Sequence, residues 1–110
     1  MMVAIPVWGG RISPVFDAAK RLMVVKVERG KEIHRREVSL PVESQQHRVG
    51  RMANLGVDVL ICGGISRSCA DLMEGLNIRI VPWVSGEPDQ VLVAYITGEL
   101  PCSRFAMPGH

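Results

Sequence analysis

Between Gly56 and the pair Gly63-Gly64 the chain reads Val57-Asp58-Val59-Leu60-Ile61-Cys62, apolar at every position but one. So short and continuous an apolar run, without alternation, predicts a strand covered on both faces, and such strands belong to sheets with helices packed above and below. The glycines at either end mark where the chain turns. This segment points to an α/β fold with parallel pairing at its centre.

The flanking sequence supplies the other layers. Val3 to Val7 is a second buried strand, loosened near its end by Pro6. Arg21 to Glu28 alternates, with Met23, Val25 and Val27 on one face, and the Glu28-Arg29-Gly30-Lys31 turn leads into the charged strand Glu32 to Leu40, a hairpin whose outer strand suits a sheet edge. Ser44 is the predicted cap of a helix carrying Val49, Met52 and Ala53, stopped by Gly56. Ser66 caps a second helix with Cys69, Leu72, Met73 and Leu76 along one stripe, and Asn77 ends it in the left-handed conformation. Ile78 to Val81 is the last strand. Pro88 opens a third helix that turns Val91, Leu92 and Tyr95 inward and ends at Gly98. The predicted architecture is one α/β domain over 1–98, a five-stranded mixed sheet with helices on both faces, followed by an irregular tail over 99–110.

With 110 residues, 47% of them hydrophobic and 5% aromatic, the chain is long enough for one core built of aliphatic side chains. A net charge of +2 is too small for a nucleic-acid-binding surface. The local group Arg29, Lys31, His34, Arg35 and Arg36 reads as protection of the edge strand, which argues for a monomer or a weak dimer. The sequence has no 18-residue apolar run and no leader-like opening, so the expectation is a cytoplasmic protein without a membrane partner. Three cysteines do not suggest a disulfide framework.

Two segments carry the chemistry. Loops leaving the carboxyl ends of neighbouring strands converge where strand order reverses, so Trp8 to Asp17 and Gly63 to Ser66 are expected to face one crevice. Gly10, Arg11 and Ser13 on one side, and Cys62, Gly63, Gly64, Ser66 and Arg67 on the other, are the candidate binding residues. The Gly63-Gly64-Ile65-Ser66 turn reads in two ways: a cradle whose N–H groups and helix dipole hold an anion, or a tight strand-to-helix connection. Cys62 and Cys69 likewise read as soft-metal ligands, with a thiol acidified by the helix terminus, or as small core residues. Cys102 and His110 fall in the tail. Arg104 to Gly109 is a candidate latch across the crevice or onto a partner through Phe105 and Met107. The P-loop pattern, the G-x-S-x-G elbow and the H-E-x-x-H motif are all missing, and acidic residues do not cluster at strand ends, so a binder rather than an enzyme is expected.

Met2-Val3-Ala4-Ile5-Pro6-Val7, Ile12-Ser13-Pro14-Val15-Phe16-Asp17, the run from Gly56 to Ile65 and Gly98-Glu99-Leu100, in this order, resemble the dinitrogenase iron-molybdenum cofactor biosynthesis family across nearly the whole chain. The resemblance implies a ribonuclease-H-like three-layer fold without nuclease activity. It also implies a nitrogenase-accessory role: holding an iron-molybdenum or molybdenum-copper sulfide cluster, or its precursor, for cofactor-assembly proteins or an apo-enzyme. Many members carry His-Phe-Gly after the Ser-Pro pair, the histidine being the implied cluster contact. Here the positions read Val15-Phe16-Asp17. That leaves capture by backbone N–H groups with Arg11 or Arg67, ligation by Cys62 or Cys69, or a protein-interaction or regulatory module that keeps the fold without a cluster.

Overall fold

The computed structural model describes residues 1–41, 43–100 and 103–108. Its centre is β1 (Met2–Trp8), where Val3, Ala4 and Ile5 are all buried, because consecutive residues of a strand face opposite sides of the sheet and both sides are covered. On one edge β1 pairs antiparallel with β3 (Arg21–Glu28), in the register Val3 to Val25 and Ile5 to Met23. On the other it runs parallel to β5 (Val59–Ile61), which in turn runs parallel to β6 (Arg79–Val81). Outside β3 lies β4 (Lys31–Ser39), giving the order β4-β3-β1-β5-β6.

The mixed sheet is as predicted, but it has six strands rather than five. After the exposed Gly9-Gly10 turn, β2 (Arg11–Ile12) folds back along β1, pairing Val7 with Ile12 and Trp8 with Arg11. Two residues give no period to read, which is why the sequence hides this strand.

The sheet divides the interior into two cores. Ala4, Leu22, Val24 and Leu60 face α1 (Gln45–Asn54) and α2 (Arg67–Gly75), which contribute Val49, Met52, Cys69 and Met73. Val3, Ile5, Met23, Val25, Val27 and Ile61 face α3 (Pro88–Ile96), which contributes Val91, Leu92 and Ala94. The expected helix starts hold: the Ser44 hydroxyl accepts the His47 N–H and the Ser66 hydroxyl accepts the Cys69 N–H, each satisfying an otherwise orphan donor. Asn77, at φ +60°, makes the left-handed turn after α2.

Some expected core positions lie outside. Leu72 and Leu76 are exposed, because the buried stripe of α2 is the narrow pair Cys69 and Met73. Ala53 is exposed on α1, and Tyr95 is half-buried against the α3-side core. The edge strand β4 is exposed along almost its whole length, and the register shifts so that Lys26 faces His34 while Val27 faces Glu32. The extra residue, Ile33, is a bulge, and with the charges it keeps this edge from templating another strand.

The stretch expected to be irregular after 98 contains an ordered piece. Ser103–Phe105 forms a 3-10 turn, Phe105 is buried in the α3-side core, and Ala106 bridges Val84. Residues Cys102, Gly109 and His110, considered above for metal contact or latching, lie outside the described residues.

Candidate functional site

Three loops leave the carboxyl ends of β1, β5 and β6 and are tied to one another through their backbones. The Gly64 N–H donates to Pro14 O at 2.7 Å and Gly64 O accepts the Phe16 N–H at 2.8 Å, so Val15 and Gly64 form a parallel bridge. The next loop joins through Trp83 N–H to Gly63 O at 3.0 Å and Val84 N–H to Cys62 O at 2.9 Å, and Ile12 N–H closes onto Gly86 O at 2.9 Å. The expected convergence of the two glycine-bearing loops is therefore present. A Cβ on Gly63 would stand 2.6 Å from Pro14 O and one on Gly64 would stand 3.4 Å from the Trp83 ring. Here the close approach that glycine permits is to the chain's own backbone.

Asp17 sits at the centre of this junction. Its Oδ1 accepts the Ser66 N–H at 2.9 Å, and its Oδ2 accepts the Ser66 hydroxyl at 2.7 Å, the Gln45 amide at 3.1 Å and the Cys69 thiol at 3.3 Å. Burial works to raise the Asp17 pKa, but the hydrogen bonds from Ser66, Cys69 and Gln45 outweigh it and hold the carboxyl below its ordinary value. A negative charge at the start of α2 also complements the helix dipole. The place where the sequence suggested an anion is filled by the chain's own carboxylate.

Both thiols are held protonated. Burial, with the Asp17 charge adding to it, pushes the Cys62 thiol up to about 12. Burial raises Cys69 as well, and donation to Asp17 reinforces the shift against an opposing hydrogen bond with Ser66. The expected acidification by the helix terminus is overridden by burial first and by the neighbouring Asp17 second. Among the described residues no three His, Cys, Asp or Glu side chains are grouped to hold a metal ion.

The remaining candidates divide by face. Gly10, at φ +77°, lies in the turn that lines an open groove of about 570 Å³ with Trp8, Arg21, Met23 and Pro88, on the α3 side. Ser13 is buried and donates its N–H to Pro6 O at 2.8 Å. Ile12 packs into the α3-side core, and Arg11 beside it is exposed. Arg67 is exposed in the first turn of α2, and among the described residues neither arginine makes an ion pair. The start of α2 borders a separate cavity of about 540 Å³ lined by Ser44, Gln45, Ser68 and Asp71.

Several rim residues were not singled out from the sequence. Arg48, only 3% exposed, donates to Phe16 O at 3.3 Å and places its guanidinium 5.7 Å from the Phe16 ring centroid, which anchors the 12–17 loop from α1. An arginine in a polar helix gives no sign of burial beyond standing next to Val49. Trp83 adopts φ +63°, an outlier for a bulky residue, held between the Gly63 carbonyl and the Met107 N–H, which donates to Trp83 O at 2.9 Å. The segment expected to latch across the crevice or onto a partner instead packs on the chain's own 83–86 loop, with Phe105 in the core and the Met107 N–H on Trp83 O. Trp8, Val15 and Trp83 leave an apolar rim, 72%, 45% and 41% exposed.

Comparison with known proteins places this geometry. The family model described as dinitrogenase iron-molybdenum cofactor matches residues 1–98. The chain is 24% identical over 105 residues to the uncharacterized protein MJ0580 of Methanocaldococcus jannaschii, covering 91% of this chain and 89% of that one. Its fold is similar to the crystal structure of PH0822, with a TM-score of 0.88 at 24% identity over 94% of this chain and 95% of the other. It is also similar to the crystal structure of MJ0327 from Methanocaldococcus jannaschii, with a TM-score of 0.74 at 21% identity and 90% of each chain covered.

Proposed function

We propose, on the premise that the chain belongs to the dinitrogenase iron-molybdenum cofactor family, that it is a non-enzymatic carrier or accessory protein in the assembly of a metal-sulfide cofactor. The observation that carries this reading is the tie between Gly64 N–H and Pro14 O, which brings β2 and the start of α2 together. Arg11 and Arg67 then lie on the two segments so joined, both exposed and with no carboxylate partner among the described residues. Two uncommitted guanidinium groups suit an anionic sulfide cluster, which they contact through charge and N–H donors. Cys62 and Cys69, both buried in the core, are not required for this mode of capture. The cargo is held without a covalent bond and handed to cofactor-assembly proteins or an apo-enzyme in the cytoplasm, with Trp8, Val15 and Trp83 offering apolar contact to that partner.

The test is anaerobic reconstitution with iron, molybdate and sulfide, followed by metal analysis of the desalted protein. Retained molybdenum that falls at least tenfold in the Arg11→Ala, Arg67→Ala double variant supports the reading. Metal-free wild-type protein defeats it.

A second reading has its own support in the four donors that Asp17 occupies. On this reading the fold is kept as a protein-interaction or regulatory module that binds no cluster. Affinity for an apo-enzyme or assembly partner that is unchanged by reconstitution, and lost when Trp83 and Val15 are replaced by serine, favours it.

A further inference from the structure

We infer that Asp17 excludes an anionic cofactor from the junction between the 12–17 loop and the start of α2, confining any metal-sulfide anion to the outer rim beside Arg11 and Arg67. The inference rests on the carrier reading above and concerns where its cargo sits.

Asp17 accepts four hydrogen bonds: the Ser66 N–H on Oδ1, and the Ser66 hydroxyl, the Gln45 amide and the Cys69 thiol on Oδ2. These are the donors that an incoming anion would need at this place. The adjacent Gly64 N–H is committed to Pro14 O, and the Cys69 N–H to the Ser66 hydroxyl. An anion arriving there finds these donors already engaged and meets a like charge in partly buried surroundings, where repulsion is weakly screened.

Asp17 is also not free to swing aside. Phe16, fully buried, gives its N–H to Gly64 O and receives the Arg48 guanidinium on its carbonyl oxygen. The Ala19 N–H closes the short turn back onto Phe16 O. The backbone that carries Asp17 is thus fixed from both sides of its loop, and the carboxylate itself is held by its four hydrogen bonds.

The experiment titrates soluble tetrathiomolybdate, an anionic molybdenum sulfide, into the protein under argon and follows backbone amide shifts together with molybdenum retained after desalting. In the wild-type protein the Ser66 and Cys69 amides are expected to stay in place, while amides next to Arg11 and Arg67 move. In Asp17→Asn, which keeps an oxygen acceptor for the Ser66 N–H and removes the charge, the Ser66 and Cys69 amides are expected to shift with a midpoint at least tenfold lower than any seen in the wild type. A saturable shift of Ser66 and Cys69 in the wild-type protein overturns the inference, and that measurement needs no variant to fold. Equal midpoints in the two proteins, or no response of Ser66 and Cys69 in a folded Asp17→Asn, overturn it as well. Failure of the carrier reading looks different: no molybdenum is retained at the wild-type rim, and the comparison at Ser66 and Cys69 still stands.

Discussion

Gly63 and Pro14 touch so closely that a Cβ on the glycine would lie 2.6 Å from the proline carbonyl oxygen and 3.0 Å from its carbonyl carbon. Both partners are backbone, so neither can turn away as a side chain would. Gly63→Ala is expected to cost about 1–3 kcal/mol, toward the upper end, and to loosen the Val15 to Gly64 bridge. Urea unfolding measures the cost, and amide exchange at Gly64 and Phe16 shows the loosening.

Asp17 should shape the acid limb of stability. Its folded pKa lies below the ordinary 3.8, so at neutral pH the carboxylate is charged in both states and its stabilisation is complete. As pH falls through the ordinary value the unfolded chain takes up the proton first, and stability is lost until the folded carboxyl titrates too. Asp17→Asn is expected to lower stability at pH 7 by about 1–3 kcal/mol, the usual worth of charge-assisted hydrogen bonds, and to flatten this limb. Denaturant midpoints measured from pH 2 to pH 7 check both effects.

Cys62 sets a limit at the alkaline side. Its thiol is pushed up to about 12 by burial and the Asp17 charge, against an ordinary 9.0, so stability holds below the ordinary value and declines as pH rises through the window between the two. At pH 8 the native protein is expected to leave Cys62 and Cys69 unlabelled by a thiol reagent, with modification following the unfolding rate. Mass mapping of labelled peptides reads this directly. Fast labelling of Cys62 would contradict the assigned environment.

Phe105 reports on the tail. Phe105→Ala is expected to cost about 3–4 kcal/mol, because the ring is buried among Val84, Val91 and Leu92. The loss should also free the 83–86 loop, since Ser85 N–H donates to Phe105 O and Met107 N–H to Trp83 O. Tryptophan emission should therefore change at denaturant concentrations where far-ultraviolet circular dichroism still reports native helix.

The layers of this fold were legible because each rests on a local rule. Ser44 and Ser66 cap helices by accepting N–H groups three residues on, Asn77 tolerates a left-handed turn, and Val59 to Ile61 needs cover on both faces. The convergence of the glycine loops followed from strand order. What stayed hidden depends on contacts across long separations. Asp17 meets Ser66 at a distance of 49 residues along the chain, and Arg48 meets Phe16 at 32, and no periodicity announces either. Its sign was nonetheless readable: a carboxylate where the resembling family has glycine was already an awkward neighbour for an anionic cluster. The two-residue β2 was too short for any pattern, and Phe105 carried no alternation to mark it as core.

Because Phe105 belongs to the core beneath α3 while Leu22, Val24, Met52 and Met73 form the other one, the two sides of the sheet are completed at different times during synthesis. The α1 and α2 side has all its pieces once Ile80 has left the ribosome, whereas the α3 side stays open until residues 103–108 emerge. A nascent chain halted between those points presents one finished flank and one bare apolar flank, so chaperone capture and proteolytic surveillance should act on a single side of the sheet.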